Sequence, residues 1–144
     1  MRVVNRRAYY DYHLLEKIEA GIELTGPEVK SIKKGRIKLE QAFVRINEGQ
    51  IFLVNAHVSP YEFAAQTDYD PSRQRRLLLQ KKQILALETK ARQKKLTLIP
   101  LSCYTQGSWI KLEIALAKGK KKFEKKEVKK RRDIDRETEK ELRG

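Results

Sequence analysis

Apolar residues alternate with polar ones in several stretches of this chain. In the last, Ile110, Leu112, Ile114 and Leu116 share one face and Lys111 and Glu113 the other, the period of a half-buried strand. An earlier one sets Ile18, Ala20, Ile22 and Leu24 against Lys17, Glu19 and Glu23, with Gly21 expected to mark a bend or bulge. Phe43–Ile46 and Ile51–Val54 flank the turn-forming Asn47-Glu48-Gly49-Gln50, and Leu96–Tyr104 and Trp109–Ala117 flank Thr105-Gln106-Gly107-Ser108, so each pair predicts a hairpin. Leu77-Leu78-Leu79 predicts a short strand, in which alternation turns at least one leucine away from the core. Ala56–Ala65, broken at Ser59-Pro60 and carrying His57, is expected to be a connection.

Two segments follow the helical period instead. Thr25-Gly26-Pro27-Glu28 has the spacing of a capping box and predicts a helix to about Lys34, ended by Gly35, with Val29 and Ile32 inward. Lys81–Lys95 predicts a second helix with an inner stripe of Ile84, Leu85, Leu87 and Ala91. Five or six antiparallel strands, one helix after the first and one before the last pair, make a mainly β chain with short helices. The expected architecture is a small antiparallel barrel with helices at its ends.

The pattern stops at Ala117. From 118 to 144 only Phe123, Val128, Ile134 and Leu142 are large and apolar, too few to bury a core. Residues 1–117 are therefore expected to form the barrel, and 118–144 a basic tail that is disordered when free. Charge strengthens that division. Residues 1–117 hold 20 Lys and Arg against 12 Asp and Glu, and the tail 13 against 7, within a formal net charge of +14. Such a field favours phosphate backbones, and no amphipathic basic helix with aromatic anchors suggests a membrane surface. Lys30, Lys33 and Lys34, with Arg36 and Lys38 next door, form a largely outward basic ridge, and Lys33, Lys34 and Arg36 there, with Arg73, Arg75 and Arg76 of the loop, are candidate RNA contacts because arginine forks suit phosphates. The cluster Tyr9-Tyr10-Asp11-Tyr12-His13 offers rings that stack on bases or simply pack in a sheet.

Catalytic patterns are missing. Gly119-Lys120 lacks the rest of a phosphate-binding loop, His13 and His57 have no evident nucleophile, and no Cys/His cluster has metal-ligand spacing. No cofactor and no enzymatic activity are expected. The single cysteine, Cys103, sits in an apolar strand and reads as a buried hydrophobe. Met1–Arg7 has no apolar core of signal-peptide length, and a cytoplasmic monomer is expected.

The order of short motifs goes further. Asn5-Arg6-Arg7-Ala8, Glu19-Ala20-Gly21-Ile22, Glu28-Val29-Lys30-Ser31, Asp70-Pro71-Ser72-Arg73 leading into Arg76-Leu77-Leu78-Leu79, and Ala115-Leu116-Ala117-Lys118-Gly119-Lys120-Lys121 resemble, in order and spacing, the SsrA-binding protein family (small protein B, SmpB). The resemblance covers essentially the whole chain. It implies an oligonucleotide-binding-type (OB-fold-like) barrel that binds the tRNA-like domain of transfer-messenger RNA. With elongation factor Tu acting through the charged RNA, that complex would reach stalled ribosomes for trans-translation, in which the stalled peptide is tagged for proteolysis. It also implies that Glu19, Leu78 and Lys111 meet the RNA and that Asn5 and Arg6 open a basic motif there.

For the tail, the resemblance implies that Gly119, Lys120, Lys121, Phe123, Lys125 and Lys126 approach the decoding centre of the small ribosomal subunit. The remainder would become helical in the empty message channel, with Ile134 and Leu142 as apolar anchors. Glu124-Lys125-Lys126 stands where the family commonly has Asp-Lys-Arg, and Phe123 where it often has histidine. Two other readings stay open on the residues alone: a structural ribosomal protein with a basic extension, and a metal-dependent nuclease on an OB-type barrel.

Overall fold

The structure is a computed structural model that describes residues 1–64 and 68–125. In chain order it contains β1 (Arg2–Val4), α1 (Arg6–Asp11), β2 (Tyr12–Ile22), α2 (Gly26–Lys33), β3 (Ile37–Lys38), β4 (Phe43–Asn47), β5 (Gln50–Val54), β6 (His57–Val58), β7 (Arg75–Leu78), α3 (Lys81–Lys94), β8 (Thr97–Gln106) and β9 (Trp109–Gly119). Seven strands form one sheet in the order β1-β8-β9-β2-β7-β5-β4, and β3 pairs with β6 apart from it. Every pairing is antiparallel. The sheet curls until β4 contacts β8, but no ladder joins those two among the described residues. The expected barrel is thus an open one, mostly sheet with a few short helices.

Alternation explains the core. Ala20 and Ile22 of β2, Ile51 and Leu53 of β5, Leu77 of β7, and Leu112, Ile114 and Leu116 of β9 meet inside one cluster. Ile32 of α2 and Ile84 and Leu87 of α3 bury into the same cluster. Each large side chain so buried stabilises the fold by about 1.5–3 kcal/mol before entropy is counted. Leu85, expected in that inner stripe, is instead 66% exposed. At 100° per residue it points well away from Ile84, Leu87 and Ala91, and α3 offers the core only a narrow seam.

A second, smaller cluster lies on the opposite face of β8 and β9. Ala8 of α1 packs there on Ile99, Leu101, Ala115 and Ala117, flanked by Tyr9, Tyr12 and Leu14. Alanines at 115 and 117 therefore do what a polar outer face would otherwise do: they admit a helix lying across the strand. The rings of Tyr9 and Tyr12 are part of this packing. The sequence pattern did not foresee α1, although Asn5 caps it by accepting from the Ala8 N–H.

The helix over 26–33 agrees with expectation, including a capping box in which Thr25 and Glu28 bond reciprocally. The register shift in β2 falls between Leu14 and Glu16, not at Gly21. A second shift, between Pro100 and Ser102 of β8, accommodates a residue that cannot donate to a ladder. Strand β9 continues to Gly119, beyond the boundary expected at Ala117.

Candidate nucleic-acid interface

Because α1 covers only one end of the outer sheet face, the rest is open. Register lines up a row across five strands: Arg2 of β1 opposite Tyr104 of β8, Tyr104 opposite Lys111 of β9, Lys111 opposite Gly21 of β2, and Gly21 opposite Leu78 of β7. With strands about 4.8 Å apart, the row spans about 19 Å. Leu78 is 50% exposed, the displayed leucine that alternation required. Gly21 carries no side chain beneath it; a Cβ there would lie 3.2 Å from the Leu78 Cβ.

The polar members of this face hold one another. The Arg2 guanidinium lies 4.6 Å from the centre of the Tyr104 ring. The Tyr104 hydroxyl donates to Glu19, which is in register with Glu113. Burial, followed by the hydrogen bond and charge of Glu19 and the charge of Glu113, pushes the phenol up to about 12, so it remains a donor at neutral pH. A second row adds Arg45 opposite Phe52 and Phe52 opposite Arg76. The Glu23 N–H continues it by donating to the Arg76 carbonyl at 2.9 Å. Trp109, on the same face of β9 by alternation, is 72% exposed. Sequence reasoning missed Arg2, Tyr104 and Trp109 as partners of this surface. Their signal was parity: each lies outward on its strand when Cys103, Ile110 and Leu112 lie inward.

Three candidate residues are tied into the body of the protein. The Asn5 side chain is buried, and its amide donates to the carbonyls of Leu39 at 3.2 Å and Pro100 at 2.9 Å. It fixes α1 to the body, and both of its amide hydrogens are used there. Arg75, also expected to face RNA, is fully buried. Its Nε donates to Glu28 at 2.8 Å, Nη1 to the Ala56 and Arg73 carbonyls, and Nη2 to the Tyr69 hydroxyl and the Pro71 carbonyl. Arg73 is half-buried and pairs with the same carboxylate at 2.5 Å.

Glu28 is therefore the centre of a cluster joining α2, β7 and the loop before β7. Burial alone would raise its pKa. Hydrogen bonds from Arg73, the Thr25 N–H and Arg75, with the charge of Arg75, outweigh that and hold the carboxyl at about 2. Burial, then the negative charge of Glu28, raises the Tyr69 phenol.

The remaining basic candidates are on the surface: Arg6, Lys33, Lys34, Arg36 and Arg76 are all exposed. Lys34 pairs with Glu62 at 3.5 Å. At the root of the tail, the Lys120 N–H donates to the Asp11 carbonyl at 2.8 Å and its ammonium to the Tyr9 carbonyl at 3.2 Å. A helical turn follows over 122–125, where Lys125 reaches Asp11 at 3.5 Å and Glu124 meets His13. Gly119, Lys121 and Phe123 are exposed. Lys126, Ile134 and Leu142 lie outside the described residues. Among the described residues no group of His, Cys, Asp or Glu is arranged to hold a metal ion, and no helix is long and apolar enough to cross a membrane. Cys103 is buried, and burial pushes its thiol up to about 12.

An open antiparallel barrel whose outer face mixes arginine, lysine, exposed rings and a displayed leucine, on a chain of +14, defines a basic β-barrel protein of the nucleic-acid-binding class. The chain belongs to the SmpB family: the family model described as SmpB protein matches residues 2–144. It is 51% identical to the SsrA-binding protein of Carboxydothermus hydrogenoformans over 140 residues, covering 97% of this chain and 94% of that one. The SsrA-binding protein of a Sulfurihydrogenibium species is 49% identical, with 97% and 92% covered. A solved structure described as "tmRNA-SmpB: a journey to the center of the bacterial ribosome" superposes with a TM-score of 0.70 at 42% identity, over 84% of this chain and 85% of the other.

Proposed function

We propose that this protein is a non-enzymatic adaptor that binds the tRNA-like domain of transfer-messenger RNA and brings it to stalled ribosomes for trans-translation. The observation that carries this reading is the family match along residues 2–144, supported by relatives named for SsrA binding and by a structural neighbour described with tmRNA and the bacterial ribosome. Elongation factor Tu would take part indirectly, through the charged RNA.

The surface assigned to the RNA is the outer row with Glu19, Leu78 and Lys111, joined by Arg2, Tyr104, Arg76 and Trp109. Its chemistry suits structured RNA: Lys111 and Arg76 offer phosphate contacts, Leu78 and Trp109 offer apolar contact with sugars or bases, and Glu19 keeps acceptor capacity for a base amino group. Asn5 and Arg75 support this surface from inside. The residues from Gly119 to Lys126 and the tail beyond, with Ile134 and Leu142 as anchors, are assigned to the decoding centre and message channel, where a basic segment meets ribosomal phosphate.

Sequencing the RNA that copurifies with the protein tests the reading. One dominant species with a tRNA-like acceptor end and an internal reading frame is expected. A protein bound in equal amount to every salt-washed ribosome would instead indicate a structural ribosomal component and would overturn the proposal.

A further inference from the structure

A second aromatic and basic corner lies away from the sheet face, where α2 meets the loop after β6. The Ser59 N–H donates to the Arg36 carbonyl at 3.1 Å and the Ala64 N–H to the Tyr61 carbonyl at 3.1 Å, so this loop is tied to the end of α2 and closed by its own turn. The Tyr61 and Phe63 rings meet edge to face at 5.5 Å. Lys30 and Lys34 of α2 each place an ammonium 5.3 Å from the centre of the Tyr61 ring, and Lys34 lies 5.5 Å from that of Phe63. Phe63 is nevertheless 76% exposed. An aromatic ring held in place, left in water and bordered by cations is poorly explained by packing, since it buries little.

We propose that this corner is a separate RNA subsite that stacks one unpaired nucleobase on Phe63 while Lys30 and Lys34 take the flanking phosphates. This rests on the RNA-binding reading of the chain and adds a ligand class, an unstacked nucleotide, at residues outside the outer row. A bare phosphate would need the lysines but not the rings, and an apolar peptide the rings but not the cations. An extruded base with its phosphates uses both. Glu62, paired with Lys34 at 3.5 Å, faces the same corner, and an arriving phosphate would compete with it for that lysine.

The test compares two probes on the full chain: an RNA hairpin with an unpaired loop and a blunt RNA duplex of the same composition. For Phe63→Ala, hairpin affinity falls about fivefold or more while duplex affinity and the salt slope stay unchanged, and Phe63→Tyr restores hairpin binding. For Lys30→Gln with Lys34→Gln, the salt slope for the hairpin becomes shallower by about one for each phosphate no longer neutralised. Quenching of a 2-aminopurine in the loop accompanies binding to the parent and disappears with Phe63→Ala. If Phe63→Ala keeps the parent's hairpin affinity and quenching, the subsite is refuted. Leu78→Ala assayed alongside on transfer-messenger RNA separates the two readings: weakened binding there, with an unchanged Phe63→Ala, overturns this inference and leaves the outer row standing.

Discussion

Leu78 lies against Gly21 so closely that a Cβ at position 21 would sit 3.2 Å from its own Cβ, with Cδ1 at 3.4 Å. The atom in the way is fixed to the backbone of β7, so β7 must give by a few tenths of an ångström to admit a side chain. Gly21→Val should destabilise the protein by roughly 1–3 kcal/mol, although a β-branched residue usually favours an exposed strand position. Urea unfolding measures this. The penalty should shrink in a Leu78→Gly background, because the obstructing atom is then gone.

Glu28 and Arg75 form a buried pair at 2.6 Å with Arg73 as a half-exposed third member. Removing Glu28 leaves the Arg75 guanidinium buried and uncompensated, so Glu28→Ala should cost about 3–5 kcal/mol. Arg73→Ala should cost clearly less, since Arg75 and Tyr69 still satisfy the carboxylate. Equal losses in chemical denaturation would contradict this ordering.

The same carboxylate sets an acid limit. Its pKa is held at about 2 in the folded state against an ordinary 4.5, so the fold is favoured by the ionised form. That contribution is fully present above about pH 4.5 and is lost as pH falls towards about 2. Melting temperatures measured across this window should fall for the parent and show a flatter dependence for Glu28→Gln, which begins from lower stability.

Tyr104 has the opposite sign. Its phenol is raised to about 12 from an ordinary 10.0, so its contribution is present below about pH 10 and is lost as pH climbs towards 12. Phenolate absorbance should show two tyrosines titrating late in the parent, and Tyr104→Phe should lose one of them while the raised Tyr69 phenol remains. The same variant frees Glu19 of its donor and should reduce affinity for transfer-messenger RNA severalfold, measured well below the melting temperature of either protein.

For Asn5, the structure argues for support and not for contact. Asn5→Ala deletes a helix cap and the side-chain bonds to the Leu39 and Pro100 carbonyls, the first of which keeps the Ala42 N–H, a loss of about 1–2 kcal/mol. RNA affinity measured well below the variant's melting temperature should match the parent. A large drop there, with an intact fold, would assign Asn5 to the RNA after all.

Truncation after Lys122 should separate two tasks. The row from Arg2 to Leu78 remains complete, so affinity for transfer-messenger RNA should stay within about twofold of the parent. Peptide tagging on ribosomes stalled at a message's end should be lost. Full tagging by the truncated protein would end the proposed division between barrel and tail.

The elements legible in the sequence were those whose cause is local. The capping box at Thr25 and Glu28, both hairpins and the displayed Leu78 each follow from spacing within a few residues. What escaped has distant causes. Arg75 looked like one more surface arginine because its partner, Glu28, lies 47 residues earlier. Asn5 looked like part of a basic opening, although the carbonyls it binds belong to residues 39 and 100. Leu85 failed differently: α3 presents a narrower seam than its apolar content suggests. Gly21 was rightly singled out but for the wrong reason, since it makes room for a neighbour and the bulge lies at Leu15.

Among the described residues strand β1 pairs only with β8, and the Met1 ammonium reaches the Thr105 hydroxyl at 3.2 Å, 104 residues along the chain. During synthesis the first strand made must therefore wait for one of the last. At about 5–20 residues per second, that interval is about 5–20 s. Any message broken upstream of the codons for β8 yields a chain in which β1 has no neighbour and Asn5 lacks the Pro100 carbonyl. Fragments of this protein are thereby marked by an unseated N-terminus, open to proteases, and the basic opening residues take up their places only when nearly the whole chain exists.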